Sequence, residues 1–230
     1  MSGRRSIRRL IALAVALSGG GAAVATLAIP ASAPAAAGRA STGAKIRLSH
    51  ACFQTAQKAT LHGGGFDPSS HWSAKLDGSA FGSGTTSATG AITATFGVPS
   101  HLRPGSTGED SYQLVVRQGK LSASATFLVT HLSASFSPTS GDLSTLKVRF
   151  HLRGWGRGGS LYLHYVNPKG VSRLNRYLGP AGGACGHLTS SQLKLFPFTA
   201  KVGVWTLQFD KRSSYRATTV PRVAIPYKVS

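Results

Sequence analysis

Residues 146–153 alternate without a break: Leu146, Val148, Phe150 and Leu152 are apolar, and Lys147, Arg149, His151 and Arg153 are basic. Alternation has the period of a β-strand, whose successive side chains point to opposite faces, not the 3.6-residue period of a helix. A strand of this kind buries one face, and a slip of one residue would bury its charges instead. The pattern returns at 161–166 and at 204–210, where Trp205, Leu207 and Phe209 share a face and Thr206 and Gln208 share the other. Half-buried strands in series need a second sheet to cover them, so the expected fold is all-β.

The N-terminus has a different character. Arg4, Arg5, Arg8 and Arg9 precede an apolar stretch at 10–29, and Ala31-Ser32-Ala33-Pro34-Ala35-Ala36-Ala37 follows it. A basic region, an apolar region and a small-residue cleavage site make a secretory signal peptide, which assigns 1–37. Pro34 hinders cutting after Ala33, so a cut after Ala36 or Ala37 is also expected. The alternative is an uncleaved membrane anchor, since the stretch has 20 residues. Ser18-Gly19-Gly20-Gly21 lowers its hydrophobicity and favours cleavage. Arg4-Arg5-Ser6-Ile7 weakly resembles a twin-arginine signal. An Ala/Gly/Ser-rich stretch follows, and 38–43 reads as a flexible lead-in. The expected location is secreted or cell-envelope associated.

Export bears on the two cysteines, Cys52 and Cys185. They lie far apart, with no metal-ligand or CxxC spacing, and an oxidising compartment favours a disulfide between them. The alternative is two free or intermolecularly paired thiols.

Between 44 and 131 short apolar runs are separated by turn signals. Candidate strands lie at 46–49, 58–62, 72–76, 91–96, 112–117 and 120–130, with turns at Phe66-Asp67-Pro68, Asp77-Gly78, Thr89-Gly90 and Gln118-Gly119. About seven short strands at this spacing, without an amphipathic helix, indicate a sandwich. From 132 to 230, strands are expected at 145–153, 160–166 and 222–229. Asn167-Pro168-Lys169-Gly170 fits a type I turn, and Pro221 and Pro226 place the last strand at a sheet edge.

The sequence Gly64-Gly65-Phe66-Asp67-Pro68, Leu76-Asp77-Gly78, Thr89-Gly90 and Phe96-Gly97-Val98-Pro99 resembles the Ig-like (IPT/TIG-like) repeats of exported actinobacterial proteins. It is more distantly similar to the neocarzinostatin-type sandwich, whose paired cysteines and ligand residues have no match here. The second half resembles the C-terminal part of uncharacterised secreted actinobacterial proteins. It shares Tyr162-x-His164-Tyr165, Cys185-Gly186-His187-Leu188 and Gly203-Val204-Trp205-Thr206-Leu207-Gln208-Phe209-Asp210. The resemblance implies two tandem Ig-like β-sandwich modules, 44–131 and 132–230. Its motifs are turn and core residues, so it implies a fold and no activity.

Chemical constellations are thin. His62-Gly63-Gly64-Gly65 looks like the oxyanion loop of esterases, but no G-x-S-x-G elbow follows. Cys185 and His187 have the spacing of a thiol and a base on one strand face. The six acids, Asp67, Asp77, Glu109, Asp110, Asp142 and Asp210, form no compelling pair for glycoside chemistry. The eight histidines show no zinc spacing. The expectation is therefore a protein without catalytic activity, metal or cofactor.

Charge carries more content. The net charge is +20, and 132–230 holds fourteen Lys and Arg against two acids, whereas 44–131 holds seven against four. Such an asymmetry points to an anionic partner, an envelope polymer or lipid headgroups, and export argues against nucleic acid. If strands 145–153 and 160–166 pair directly, Lys147, Arg149, His151, Arg153, Tyr162 and His164 form one outer face, with Arg157 at its rim. That face is the candidate ligand site. The alternative function is a structural spacer or protein-interaction module. A hydrolase is the less favoured third.

Overall fold

The computed structural model describes residues 43–230, and the signal segment and most of the lead-in lie outside the described residues. Every regular element among the described residues is a β-strand. Strands β1 (Lys45–Leu48), β3 (Lys58–Gly64) and β6 (Ile92–Gly97) form an antiparallel sheet in the order β1-β3-β6. Strands β2 (Cys52–Gln54), β4 (His71–Leu76), β5 (Ser79–Thr85), β7 (Glu109–Gln118) and β8 (Leu121–Thr130) form a second, in the order β2-β8-β7-β4-β5. Only its β2–β8 pair is parallel.

These two sheets enclose one hydrophobic cluster. The first contributes Ala59, Leu61 and Ile92, and the second contributes Phe53, Trp72, Leu114, Val116 and Phe127. Phe96 and Phe127 meet across the gap with ring centroids 6.3 Å apart. Face-to-face packing of two antiparallel layers is sandwich architecture of Ig-like character.

Turn residues set the registers. Asp77 (φ 47°) and Gly78 (φ 84°) form the two-residue link between β4 and β5, the left-handed pair that a tight hairpin requires. The next hairpin turns at Gly119-Lys120, with Gln118 opposite Leu121, one residue later than the expected Gln118-Gly119. Gln118 stays in the strand because its buried amide is pinned. Its Oε1 accepts from Asp67 N at 2.6 Å, and its Nε2 donates to the Asp67 and Ser70 carbonyls.

The remaining strands enclose a second cluster. β10 (Lys147–Arg153) pairs with β9 (Ser133–Ser137) on one side and with β13 (Leu188–Thr189) and β14 (Leu193–Lys194) on the other. β11 (Ser160–Val166), β12 (Ser172–Pro180), β15 (Gly203–Asp210) and β16 (Val223–Val229) form the facing sheet, in the order β12-β11-β15-β16. Val148, Phe150 and Leu152 from the first meet Leu161, Leu163, Tyr165, Trp205, Leu207 and Phe209 from the second. The Phe150 and Phe209 rings lie 5.6 Å apart. Burying each such side chain stabilises the fold by about 1.5–3 kcal/mol. β16, which carries Pro226, is an edge strand as its prolines indicate.

Candidate functional site

β10 presents the alternation of its sequence directly. Leu146, Val148, Phe150 and Leu152 are buried, Lys147, Arg149 and Arg153 are exposed, and His151 is half-buried beside them. The neighbouring strands place hydroxyls and one more cation on this outer face. Lys147 stands opposite Lys194, Arg149 opposite Ser137, His151 between Ser135 and Thr189, and Arg153 opposite Ser133. No carboxylate occurs on β9, β10, β13 or β14. Like charges directly opposite in a ladder repel, so the Lys147–Lys194 pair is a local cost that a bound anion would relieve. His151 is held by hydroxyls at both ring nitrogens, Ser137 Oγ at 3.2 Å and Thr189 Oγ1 at 3.3 Å.

The expected pairing of β10 with β11 does not occur. The two strands belong to opposite sheets of the same core, and the chain crosses between them through residues 154–159. Tyr162 and His164 therefore lie on the outer face of the other sheet, away from Lys147 and Arg149. Tyr162 is half-buried, with its ring 5.5 Å from that of Tyr177. Arg157 is exposed in the crossing segment.

His164 departs furthest from expectation, because it is fully buried. Its Nδ1 lies 2.7 Å from Asn175 Oδ1 and its Nε2 lies 3.2 Å from Asp210 Oδ1. Gln208, expected to face solvent, is also buried and donates from Nε2 to Asp210 Oδ2 and to the Arg216 carbonyl. The cause lies beyond the strands. The segment following β15 folds back over this face, with Arg212 N donating to Asp210 Oδ1 at 2.7 Å and the Tyr215 ring 6.0 Å from His164. Alternation separates the faces of a strand but cannot show that a loop covers the polar one.

A second cluster lies where the two hydrophobic clusters adjoin. Cys52 and Cys185 are joined by a disulfide, with Cα atoms 5.1 Å apart. Gln54 Nε2 donates to the Gly154 carbonyl at 2.8 Å, and Arg153 Nη1 donates to the Thr107 carbonyl at 2.6 Å. His187 Nε2 lies 2.9 Å from Glu109 Oε2, outside hydrogen-bond geometry, and neither of these buried atoms has a hydrogen-bond partner. Gly186 (φ 71°) lies against the backbone of Gly156, where a Cβ would overlap main-chain atoms. Arg153 is thus committed partly to this junction rather than wholly to the β10 face.

A polar groove of about 580 Å³ runs beside the junction, lined by His131, His151, Arg153 and His187 together with serine and threonine hydroxyls. Glu109, Cys185 and His187 bring three donor atoms within 4.8 Å of one another. The Cys185 sulfur is consumed by the disulfide, so only two donors remain, short of the three or four protein ligands of a zinc site. The same bond removes the thiol that a Cys185–His187 nucleophile would need. Gly63, in the sequence that looks like an oxyanion loop, is explained by packing: a Cβ there would sit 3.1–3.3 Å from Phe66, Ile92 and Ile46.

No family model matches the sequence, and no curated protein matches it. A similar solved structure is the crystal structure of a tetra-tandem repeat in the extending region of a large adhesion protein, at 14% identity and a TM-score of 0.30. The likeness covers 82% of this chain and 49% of that one, so the matched length is about half of that chain.

Proposed function

We propose that this chain is a structural and protein-interaction protein of the cell envelope or its exterior. It is built as two Ig-like β-sandwich modules in tandem, 44–131 and 132–230, behind a cleaved export segment. The observation that supports this reading is the junction. A disulfide, two hydrogen bonds to backbone carbonyls and the His187–Glu109 pair fasten one core to the other. A spacer must hold its modules at a set angle, and a covalent brace at the junction does so. The turn motifs shared with Ig-like repeats of exported actinobacterial proteins agree with it. Small-angle scattering of the mature chain tests it. The oxidised protein should scatter as one rigid body, and the Cys52→Ser/Cys185→Ser variant as a broader ensemble. Free reorientation of the modules in the oxidised protein rules the spacer out.

A second reading rests on the β10 face, where Lys147, Arg149 and Lys194 stand among hydroxyls without a carboxylate. Such a surface can hold the phosphates or carboxylates of an anionic envelope polymer by charge-assisted hydrogen bonds. Retention on washed envelopes should weaken as the Debye length falls from about 10 Å at 0.1 M salt to about 3 Å at 1 M. Lys147→Gln/Arg149→Gln/Lys194→Gln should abolish it. Unchanged retention by that folded variant removes the polymer reading and leaves the spacer reading intact.

A further inference from the structure

The described chain exposes six large hydrophobic side chains: Val171, Leu174, Tyr177, Val202, Val204 and Val220. Three of them gather at one end of the β12-β11-β15-β16 sheet. Val171 closes the β11–β12 hairpin, its carbonyl accepting from Asn167 N at 2.9 Å, and is 59% exposed. Val202 directly precedes β15 and is 77% exposed, and Val204, the second residue of that strand, is 53% exposed. The two segments touch, because Pro168 packs against Gly203, where a Cβ would lie 2.7 Å from Pro168 Cγ.

Cations lie in the same two segments. A cavity of about 440 Å³ opens between the two segments, lined by Lys169, Arg173, Lys201, Val202 and Trp205 among others. Lys228 stands opposite Val204 in the ladder. No Asp or Glu occurs between 167 and 173 or between 199 and 206. The tip is also preorganised. Asn167 Oδ1 accepts from the amides of Lys169 and Val171, and the buried Trp205 indole donates to the Lys201 carbonyl at 2.8 Å. Binding would therefore freeze little backbone.

We propose that this tip docks onto an anionic lipid surface, with Val171, Val202 and Val204 entering the interface and Lys169, Arg173, Lys201 and Lys228 holding lipid phosphates. The combination selects the occupant. A soluble polyanion would use the cations and leave the valines in water. A neutral apolar partner would use the valines and bury unpaired cations. A lipid interface with anionic headgroups takes both. The site shares no residue with the β10 face and does not rest on the polymer reading.

Sedimentation with phosphatidylcholine vesicles, with and without phosphatidylglycerol, tests it at about 0.1 M salt, where charges within a Debye length of about 10 Å still interact. The mature protein should sediment with the anionic vesicles only. Val171→Ser/Val202→Ser/Val204→Ser, with every charge intact, should weaken this on the order of tenfold or more. Lys169→Gln/Arg173→Gln/Lys201→Gln should weaken it and flatten its salt dependence. Lys45→Gln/Arg47→Gln, at exposed positions of β1, should leave it unchanged. Val202→Trp places an indole at a position open enough to accept it. Measured against the wild type, its added emission should shift to the blue with anionic vesicles and stay put with neutral ones. Absent sedimentation, wild-type binding by the valine variant, an equal loss from the β1 variant, or an unshifted emission from the Val202→Trp variant would each overturn the proposal.

Discussion

His164 Nε2 lies 3.2 Å from Asp210 Oδ1, with both side chains fully buried beneath the segment that follows β15. The carboxylate is otherwise satisfied by Gln208 Nε2 and the Arg212 amide, and the ring by Asn175. Removing one member of such a pair strands the other without water. Asp210→Ala and His164→Ala should each destabilise the protein by about 3–5 kcal/mol. The double variant should lose less than the sum, because the two share one interaction. Urea midpoints of the three variants check this. Additive losses would mean that the pair is not coupled.

Tyr165 is buried on the opposite face of β11, and its hydroxyl has no hydrogen-bond partner. Burial pushes the phenol up to about 12, with the nearby Arg176 pulling the other way without reaching hydrogen-bond geometry to the neutral hydroxyl. The folded state thus holds this proton more tightly than the unfolded chain, whose tyrosine titrates near 10.0. The resulting stability is present in full below pH 10 and is lost as pH rises toward 12. It amounts to about 2–3 kcal/mol. Tyr165→Phe should be within about 1 kcal/mol of the wild type at neutral pH, or more stable, since an unpartnered hydroxyl is removed. It should also lack this part of the alkaline loss. Parallel stability curves for the two proteins between pH 9 and pH 12 would refute the assignment.

Residues with a two-fold pattern were legible because alternation reports directly on burial. Leu146 just before β10, Val148, Phe150 and Leu152 in β10, Leu161, Leu163 and Tyr165 in β11, and Trp205, Leu207 and Phe209 in β15 all face the core as their spacing indicates. The polar faces were not legible to the same degree. Whether His164 and Gln208 meet water depends on where residues 211–222 travel, and a loop path leaves no periodic signature. Strand neighbours were hidden for a related reason. β10 and β11 are consecutive long strands with a short connection, the usual setting for a hairpin. The glycines of that connection, with Gly154, Gly156, Gly158 and Gly159 all at positive φ, instead carry the chain across to the facing sheet. Lys194, which completes the basic face, comes from a strand of only two residues, too short to show any alternation.

Trp205 separates a packing role from a sugar-stacking one. Only 3% of its surface is exposed, and its ring lies 5.4 Å from Phe198 and 5.6 Å from Phe196. Trp205→Ala should therefore cost about 3–5 kcal/mol. A melting temperature that stays within a degree or so of the wild type would place the indole on the surface instead.

The Cys52–Cys185 bridge should dominate resistance to unfolding. It closes a separation of 133 residues, for which the chain-entropy relation gives about 5 kcal/mol. The gain arises mostly in the unfolded chain, where the bridge ties together segments that belong to separate hydrophobic clusters in the fold. Reduction leaves the other links in place, since Gln54 still reaches Gly154 and Arg153 still reaches Thr107. Those are single hydrogen bonds worth about 1–3 kcal/mol each, the charged Arg153 bond the stronger. The reduced protein should thus keep both cores but lose the coupling between them. Calorimetry of the oxidised protein should give one transition, and of the Cys52→Ser/Cys185→Ser variant two, both at lower temperature. Unfolded, unreduced protein should titrate no free thiol. Two thiols per chain in that titration, or an identical single transition in the serine variant, would show that the brace across the junction is not covalent or not needed.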